Sequence, residues 1–260
     1  MRAPRPLSAR RREGRALGMP DRLRESARLW ERNARADPLW AVLAASDKKG
    51  RRWDPLEFFK TGERDVADIL AYLEQRGARP RAGRALDFGC GVGRLTQALA
   101  KHIARVDGVD VSATMIELAR GYDRTGRCTF TVNTAPDLRI FDDGSFDLVL
   151  SILVLQHIPP PFDLAYLREL GRVVAPGGTL FFQAPHQRRV APKARPAARL
   201  RRLARRLLRR EGVQLAMYAL PQETVRDALA AAGLELIEAR PDVWAGDDWE
   251  SFSYLARRPL

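Results

Sequence analysis

The sequence predicts an α/β fold: a doubly wound, seven-stranded, mostly parallel sheet that closes with an antiparallel hairpin at its C-terminal end. Three observations predict it. From residue 61 onward, short apolar runs bounded by turn residues alternate with amphipathic stretches, the pattern of strands joined by crossover helices. The run Ala85-Leu86-Asp87-Phe88 passes directly into Gly89-Cys90-Gly91-Val92-Gly93, a strand that ends in a glycine loop. Near the end of the chain, two strand-like runs follow each other with no helix between them, and such a pair lies antiparallel.

In chain order, residues 1–20 are rich in Arg, Pro and Gly without apolar periodicity, and are expected to form a disordered basic leader. They lack the apolar core of a secretory signal. Residues 21–60 carry Trp30, Trp40, Trp53, Phe58 and Phe59 among charges, which predicts a helical cap laid on a larger body. Residues 61–260 form that body. A helix is expected over Thr61–Gly77, where Val66, Ile69, Leu70 and Leu73 share one face. Strands follow at Arg84–Phe88, Arg105–Asp110, Cys128–Val132, Phe146–Ser151 and Thr179–Gln183, with helices at Arg94–Ile103, Ala113–Arg120 and Phe162–Val173. Ser112 is placed to cap the second of these helices. Pro221 opens a last helix that Gly233 closes, and Leu234–Ala239 and Ser251–Ala256 make the final hairpin.

The net charge of +13 is concentrated at two places. Residues 1–16 hold six arginines against Glu13, and residues 186–212 hold ten arginines and Lys193 against Glu211, so the rest of the chain is close to neutral. The second cluster is an insertion at 188–212. Within it, Leu200, Leu203, Ala204, Leu207 and Leu208 fall on one arc of a helical wheel over residues 196–210 and arginines cover the other side. Two readings stand open: the helix meets an anionic membrane surface or nucleic acid, or its leucines pack inward and its arginines stay in water. Two cysteines, Cys90 and Cys128, make no disulfide framework, and the expected compartment is the cytoplasm. Apolar runs such as Phe146–Leu155 are too short for a transmembrane segment.

Chemistry is concentrated around the glycine loop. Gly89, Gly91 and Gly93 let a ligand approach the backbone, and Asp110, seventeen residues past Gly93, sets a carboxylate at the end of the second strand, where a ribose diol would find it. Together they predict a nucleoside cofactor site. A nicotinamide site spaces its glycines G-x-G-x-x-G, whereas this loop reads G-x-G-x-G. Ser151, Gln156 and His157 follow the fourth strand and are expected to line the pocket. His157 has a second reading, as a general base that takes a proton from a hydroxyl or amine.

With Leu86-Asp87-Phe88-Gly89-Cys90-Gly91-Val92-Gly93, the Asp110–Ser112–Met115 stretch, Gly144-Ser145-Phe146-Asp147 and Pro176-Gly177-Gly178, the chain resembles the class I S-adenosylmethionine-dependent methyltransferases. The likeness extends over about residues 60–187 and 213–260 and implies their Rossmann-like fold. It implies S-adenosyl-L-methionine as cofactor, with Gly89, Cys90, Gly91 and Gly93 around its methionyl end, Asp87 orienting the loop and meeting the amino group directly or through water, Asp110 on the ribose, Val111 on the adenine, and Met115 also in the cofactor site. Relatives often carry an aspartate for the adenine amino group where this chain has Thr134, so Asn133 or a backbone carbonyl is expected to substitute. Small residues, cysteine included, are ordinary at the position of Cys90, which argues against a nucleophile there. The implied reaction is direct displacement of a methyl group onto an O or N atom of a small-molecule or lipid-like acceptor. Its rivals are an RNA methyltransferase that uses the arginine helix and a non-catalytic cofactor-binding scaffold.

Overall fold

A computed structural model describes residues 20–189 and 216–260. The expected leader and the amphipathic stretch at 196–210 lie outside the described residues. Seven strands form one sheet: β1 Arg84–Phe88, β2 Arg105–Asp110, β3 Cys128–Val132, β4 Phe146–Ser151, β5 Val174–Arg188, β6 Glu235–Asp242 and β7 Trp249–Arg257. Their spatial order is β3-β2-β1-β4-β5-β7-β6. β7 runs antiparallel to both of its neighbours and the other pairings are parallel, so the doubly wound sheet with a terminal hairpin is the observed architecture.

Helices cover the two faces, and the strand alternation decides what each face buries. Leu180 and Phe182 point into a layer with Leu167, Leu170 and Val173 of α6 (Phe162–Val173) and Val225 and Leu229 of α7 (Gln222–Ala231). Phe181, between them, points the other way, toward Val66, Ile69 and Leu73 of α3 (Pro55–Gln75) and Leu95 and Leu99 of α4 (Arg94–Leu99). Fully burying such side chains contributes about 1.5–3 kcal/mol each before ordering costs.

Several boundaries differ from expectation: β5 and β7 run longer, β6 lies further toward the C-terminus, and the starts of α3 and β5 have a local reason. α3 starts at Pro55, not Thr61, because Asp54 caps it by accepting the Glu57 backbone N–H at 2.9 Å and proline suits the first helical position. The expected boundary at residue 60 therefore falls inside a helix. β5 starts at Val174, since the Pro176-Gly177-Gly178 turn, with Gly177 at φ +73°, is absorbed as an irregularity in its pairing with β4. α4 ends at Leu99, and residues 100–103 continue as turns.

Ahead of α3 lie α1 (Asp21–Ala36) and α2 (Pro38–Val42). α5 (Ala113–Tyr122) follows β2, and the Ser112 hydroxyl caps it by accepting the Met115 N–H at 3.1 Å, as expected. Among the described residues, no helix is long and apolar enough to cross a membrane.

Candidate functional site

β1 leads on to β2 on one side, while β4 pairs with its other side, so the carboxyl ends of β1 and β4 flank a topological switch point. Open α/β sheets place ligands in such a crevice. Here it opens into a cavity. Its floor is Phe88, Gly89, Gly91, Asp110, Val111, Met115 and Asn133; one wall is the segment after β4, including Val154 and His157. Its roof comes from Leu23, Ala27 and Trp30 of α1 and Ala41 and Val42 of α2.

The glycines make this closeness possible. Gly89 and Gly91 hold φ of +75° and +54°, and a Cβ on either would stand 2.4 Å from Val154 Cγ2 or 2.5 Å from Val42 Cγ2. Glycine thus lets both the wall and the roof close on the loop. Asp110 locks the loop in place: one carboxylate oxygen accepts the Gly91 N–H at 2.9 Å and the other accepts the Ser112 N–H at 2.8 Å. Burial raises the Asp110 pKa, and these backbone hydrogen bonds counter the rise. Each oxygen keeps a lone pair for a further donor.

A family model described as a methyltransferase domain matches residues 85–178, the stretch from β1 into β5 that builds this crevice. Residues 85–178 thus carry a methyltransferase domain, and the fold is that of S-adenosylmethionine-dependent methyltransferases. It is 37% identical over 114 residues to a ubiquinone biosynthesis O-methyltransferase of Xanthomonas campestris pv. campestris, covering 43% of this chain and 46% of that protein. It is 34% identical over 115 residues to the enzyme of that name from Coxiella burnetii, covering 44% and 47%. The chain thus spans less than half the length of the curated relatives it matches. In fold it is similar to the magnesium protoporphyrin IX methyltransferase of Synechocystis PCC 6803 solved with bound SAH, with a TM-score of 0.61 at 20% identity over 92% of this chain and all of that one.

The cofactor of the family is S-adenosylmethionine, and the methyltransferase crevice fits it. A nucleoside needs an acceptor for its ribose hydroxyls, an apolar slot for its base and close backbone for its polar tail. Asp110 offers spare lone pairs of the first kind, and the same cavity is lined by the apolar side chains of Val111 and Met115 and by the backbone of Gly89 and Gly91.

Several residues expected to touch the cofactor stand behind this lining instead. Asp87 is buried under the loop, where it accepts the Thr96 hydroxyl at 2.6 Å, and burial pushes its pKa up to about 6. Cys90 packs on Ile116, Ala119 and Phe130, and burial raises its pKa well above the usual thiol range, so it is held as the thiol. Gly93, at φ +81°, gives way to the Phe130 ring. Thr134 is exposed and off the cavity. Ser151 is buried with its hydroxyl unpartnered, and Gln156 is buried against other side chains. Asn133 does line the cavity, yet its amide donates to the Asp137 carbonyl and accepts from the Ala135 N–H, so its side chain is occupied within its own loop.

His157 also lines the cavity, with its ring edge-on to Trp30 at 5.2 Å between centroids, and burial lowers its pKa.

The roof is what sequence reasoning missed. Trp53 and Phe58 of the expected cap complete the core beneath the loop with Val92. Trp30 and Val42 roof the cavity. α1 is tied down by Glu31, which accepts the Ser112 hydroxyl at 2.7 Å and the Thr114 hydroxyl at 2.6 Å; these bonds lower its pKa to about 2. The spacing of Leu23, Ala27, Trp30 and Ala34 was the available signal, an apolar stripe on an otherwise charged helix.

Proposed function

We propose that this chain transfers a methyl group from S-adenosylmethionine to an oxygen atom of a small-molecule or lipid-like acceptor. The observation that carries the reading is the crevice itself: a glycine loop stapled to Asp110 on one side and the imidazole of His157 on the other, under an apolar roof. When bound, the cofactor supplies an electrophilic methyl group on a sulfonium. Asp110 accepts its ribose hydroxyls, while Val111 and Met115 pack on its adenine. The loop backbone at Gly89 and Gly91 holds its methionyl end. Trp30, Ala27 and Val42 exclude water, which favours direct displacement with the reactants aligned. With the cofactor bound, His157 would take the proton of the acceptor hydroxyl as its oxygen bonds the methyl carbon, the C–S bond electrons staying on sulfur.

An oxygen acceptor is favoured over nitrogen by two considerations. The curated relatives are named as O-methyltransferases. The lining is chiefly apolar, with few polar groups, as suits a flat or greasy acceptor.

The test is transfer of a labelled methyl group to a panel of phenols, catechols and prenylated phenols, with an amine panel beside it. Label on phenolic oxygen supports the reading. Turnover on amines alone would contradict it.

A further inference from the structure

We propose that Gln156 and Gln183 are positioning residues that hold His157 in the tautomer protonated on Nδ1, leaving Nε2 as its proton-accepting nitrogen. The inference rests on the methyltransferase reading for its purpose, though not for its geometry. Its basis is a polar chain, Leu153–Gln183–Gln156–His157–Ala216, buried at its glutamines and exposed at Ala216, with a buried side branch to Ser251.

Both ends of this chain are backbone groups whose polarity admits no choice. The Leu153 N–H only donates, and its partner at 3.3 Å is the side chain of Gln183, so Gln183 must present Oε1 there. Its amide nitrogen then faces the other way, donating to the Ser251 hydroxyl at 2.7 Å and to Gln156 Oε1 at 3.3 Å. With its oxygen so occupied, Gln156 turns its NH₂ toward His157 Nε2, 3.1 Å away. An NH₂ can only donate, so Nε2 carries a lone pair. At the far end the Ala216 carbonyl only accepts, and it lies 3.0 Å from Nδ1, so Nδ1 carries the hydrogen. Two independent ends lead to one assignment of three side chains.

Burial makes the assignment binding. Gln183, Gln156 and Ser251 are 0%, 4% and 1% exposed, so a reversed amide would set like-polarity atoms face to face with no water to relieve them. Leu153 adds rigidity, since it holds φ +63°, a conformation that side-chain-bearing residues adopt only when their surroundings impose it. The groups that face the imidazole are Trp30 from α1, Gln156 from its own turn and the Ala216 carbonyl from the chain returning to the body. None of these titrates in the ordinary range. An acceptor hydroxyl that reaches Nε2 replaces the Gln156 N–H, and the Gln183 contact keeps Gln156 in place for the next cycle.

The tautomer is read directly by long-range ¹H–¹⁵N correlation spectroscopy on ¹⁵N-labelled full-length chain at pH 8, with His157 assigned by its loss in His157→Asn. The expected pattern is Nδ1–H with an unprotonated Nε2; an Nε2–H pattern overturns the proposal. Gln156→Glu keeps the acceptor for Gln183 and puts a second acceptor opposite Nε2. It should protonate Nε2 and keep the imidazolium to higher pH, and an unchanged His157 spectrum in that variant also overturns the proposal. Gln156→Leu should lower kcat by up to about 100-fold with KM for S-adenosylmethionine unchanged. A rise in KM with kcat unchanged would show a merely structural role. The spectra need neither cofactor nor acceptor, so they fail or succeed separately from the proposed function.

Discussion

Asp87 and Asp110 end adjacent strands with the same side chain, and their neighbours separate their roles. Asp110 accepts two backbone N–H groups and faces the cavity, whereas Asp87 is bonded by Thr96, its hydroxyl at 2.6 Å, and sits in the core. A carboxyl whose pKa rises on folding, here to about 6 from 3.8, is paid for as pH climbs: the unfolded chain loses its proton first. Stability from this group is greatest below pH 3.8 and is lost between there and about 6. Asp87→Asn keeps an acceptor for Thr96 and removes the ionisation. We expect it to unfold at higher denaturant at pH 8, by an amount on the order of 3 kcal/mol, with the gap narrowing toward pH 4. A variant less stable than the parent at pH 8 would show that the carboxylate is stabilised where it stands. Gly91→Ala tests the loop in the same way. Its φ of +54° and the Val42 methyl 2.5 Å from the new Cβ predict a loss of about 1–3 kcal/mol and a displaced roof, both measurable by chemical denaturation and proteolysis of α2.

At the scale of elements, one carboxylate ties α1 to α5, beside the Arg22 and Ser26 hydrogen bonds to the Pro160 and His157 carbonyls. Glu31 joins α1 to Ser112 and Thr114 at the start of α5, where a negative charge also meets the positive end of that helix. Glu31→Ala should speed hydrogen exchange in residues 21–42 and raise KM for S-adenosylmethionine several-fold while the sheet stays protected; unchanged exchange in α1 would refute the tether. Because the Glu31 pKa falls from 4.5 to about 2 in the folded chain, its contribution is full above pH 4.5 and is lost as pH falls toward 2. The sheet was legible because each parallel strand is a short apolar run between turn signals, and β1 to β4 match the expected ranges residue for residue. The glycine loop and Asp110 were legible because their spacing is local. The tether and the glutamine chain were not, since Glu31 meets Thr114 across 83 residues and Gln183 meets Ser251 across 68. The start of α3 was within reach: Asp54-Pro55 is a capping signal that the aromatic pattern around it obscured.

For the whole molecule, topology gathers these parts. The parallel strands direct their carboxyl ends to one edge. The reversal of order between β1 and β4 opens the crevice there, and α1 and α2 return from the N-terminal side to cover it. β5 ends at Arg188, and residue 216, where the described residues resume, lies against His157 at this same edge. The central claim is that Asp110 and the glycine loop form the S-adenosylmethionine site. Calorimetric titration of the full-length chain and of Asp110→Ala with S-adenosylmethionine tests it most directly. The account predicts saturable one-to-one binding by the parent and at least tenfold weaker binding by the variant, about 1.4 kcal/mol or more. Equal affinities, or no binding by the parent, would contradict it.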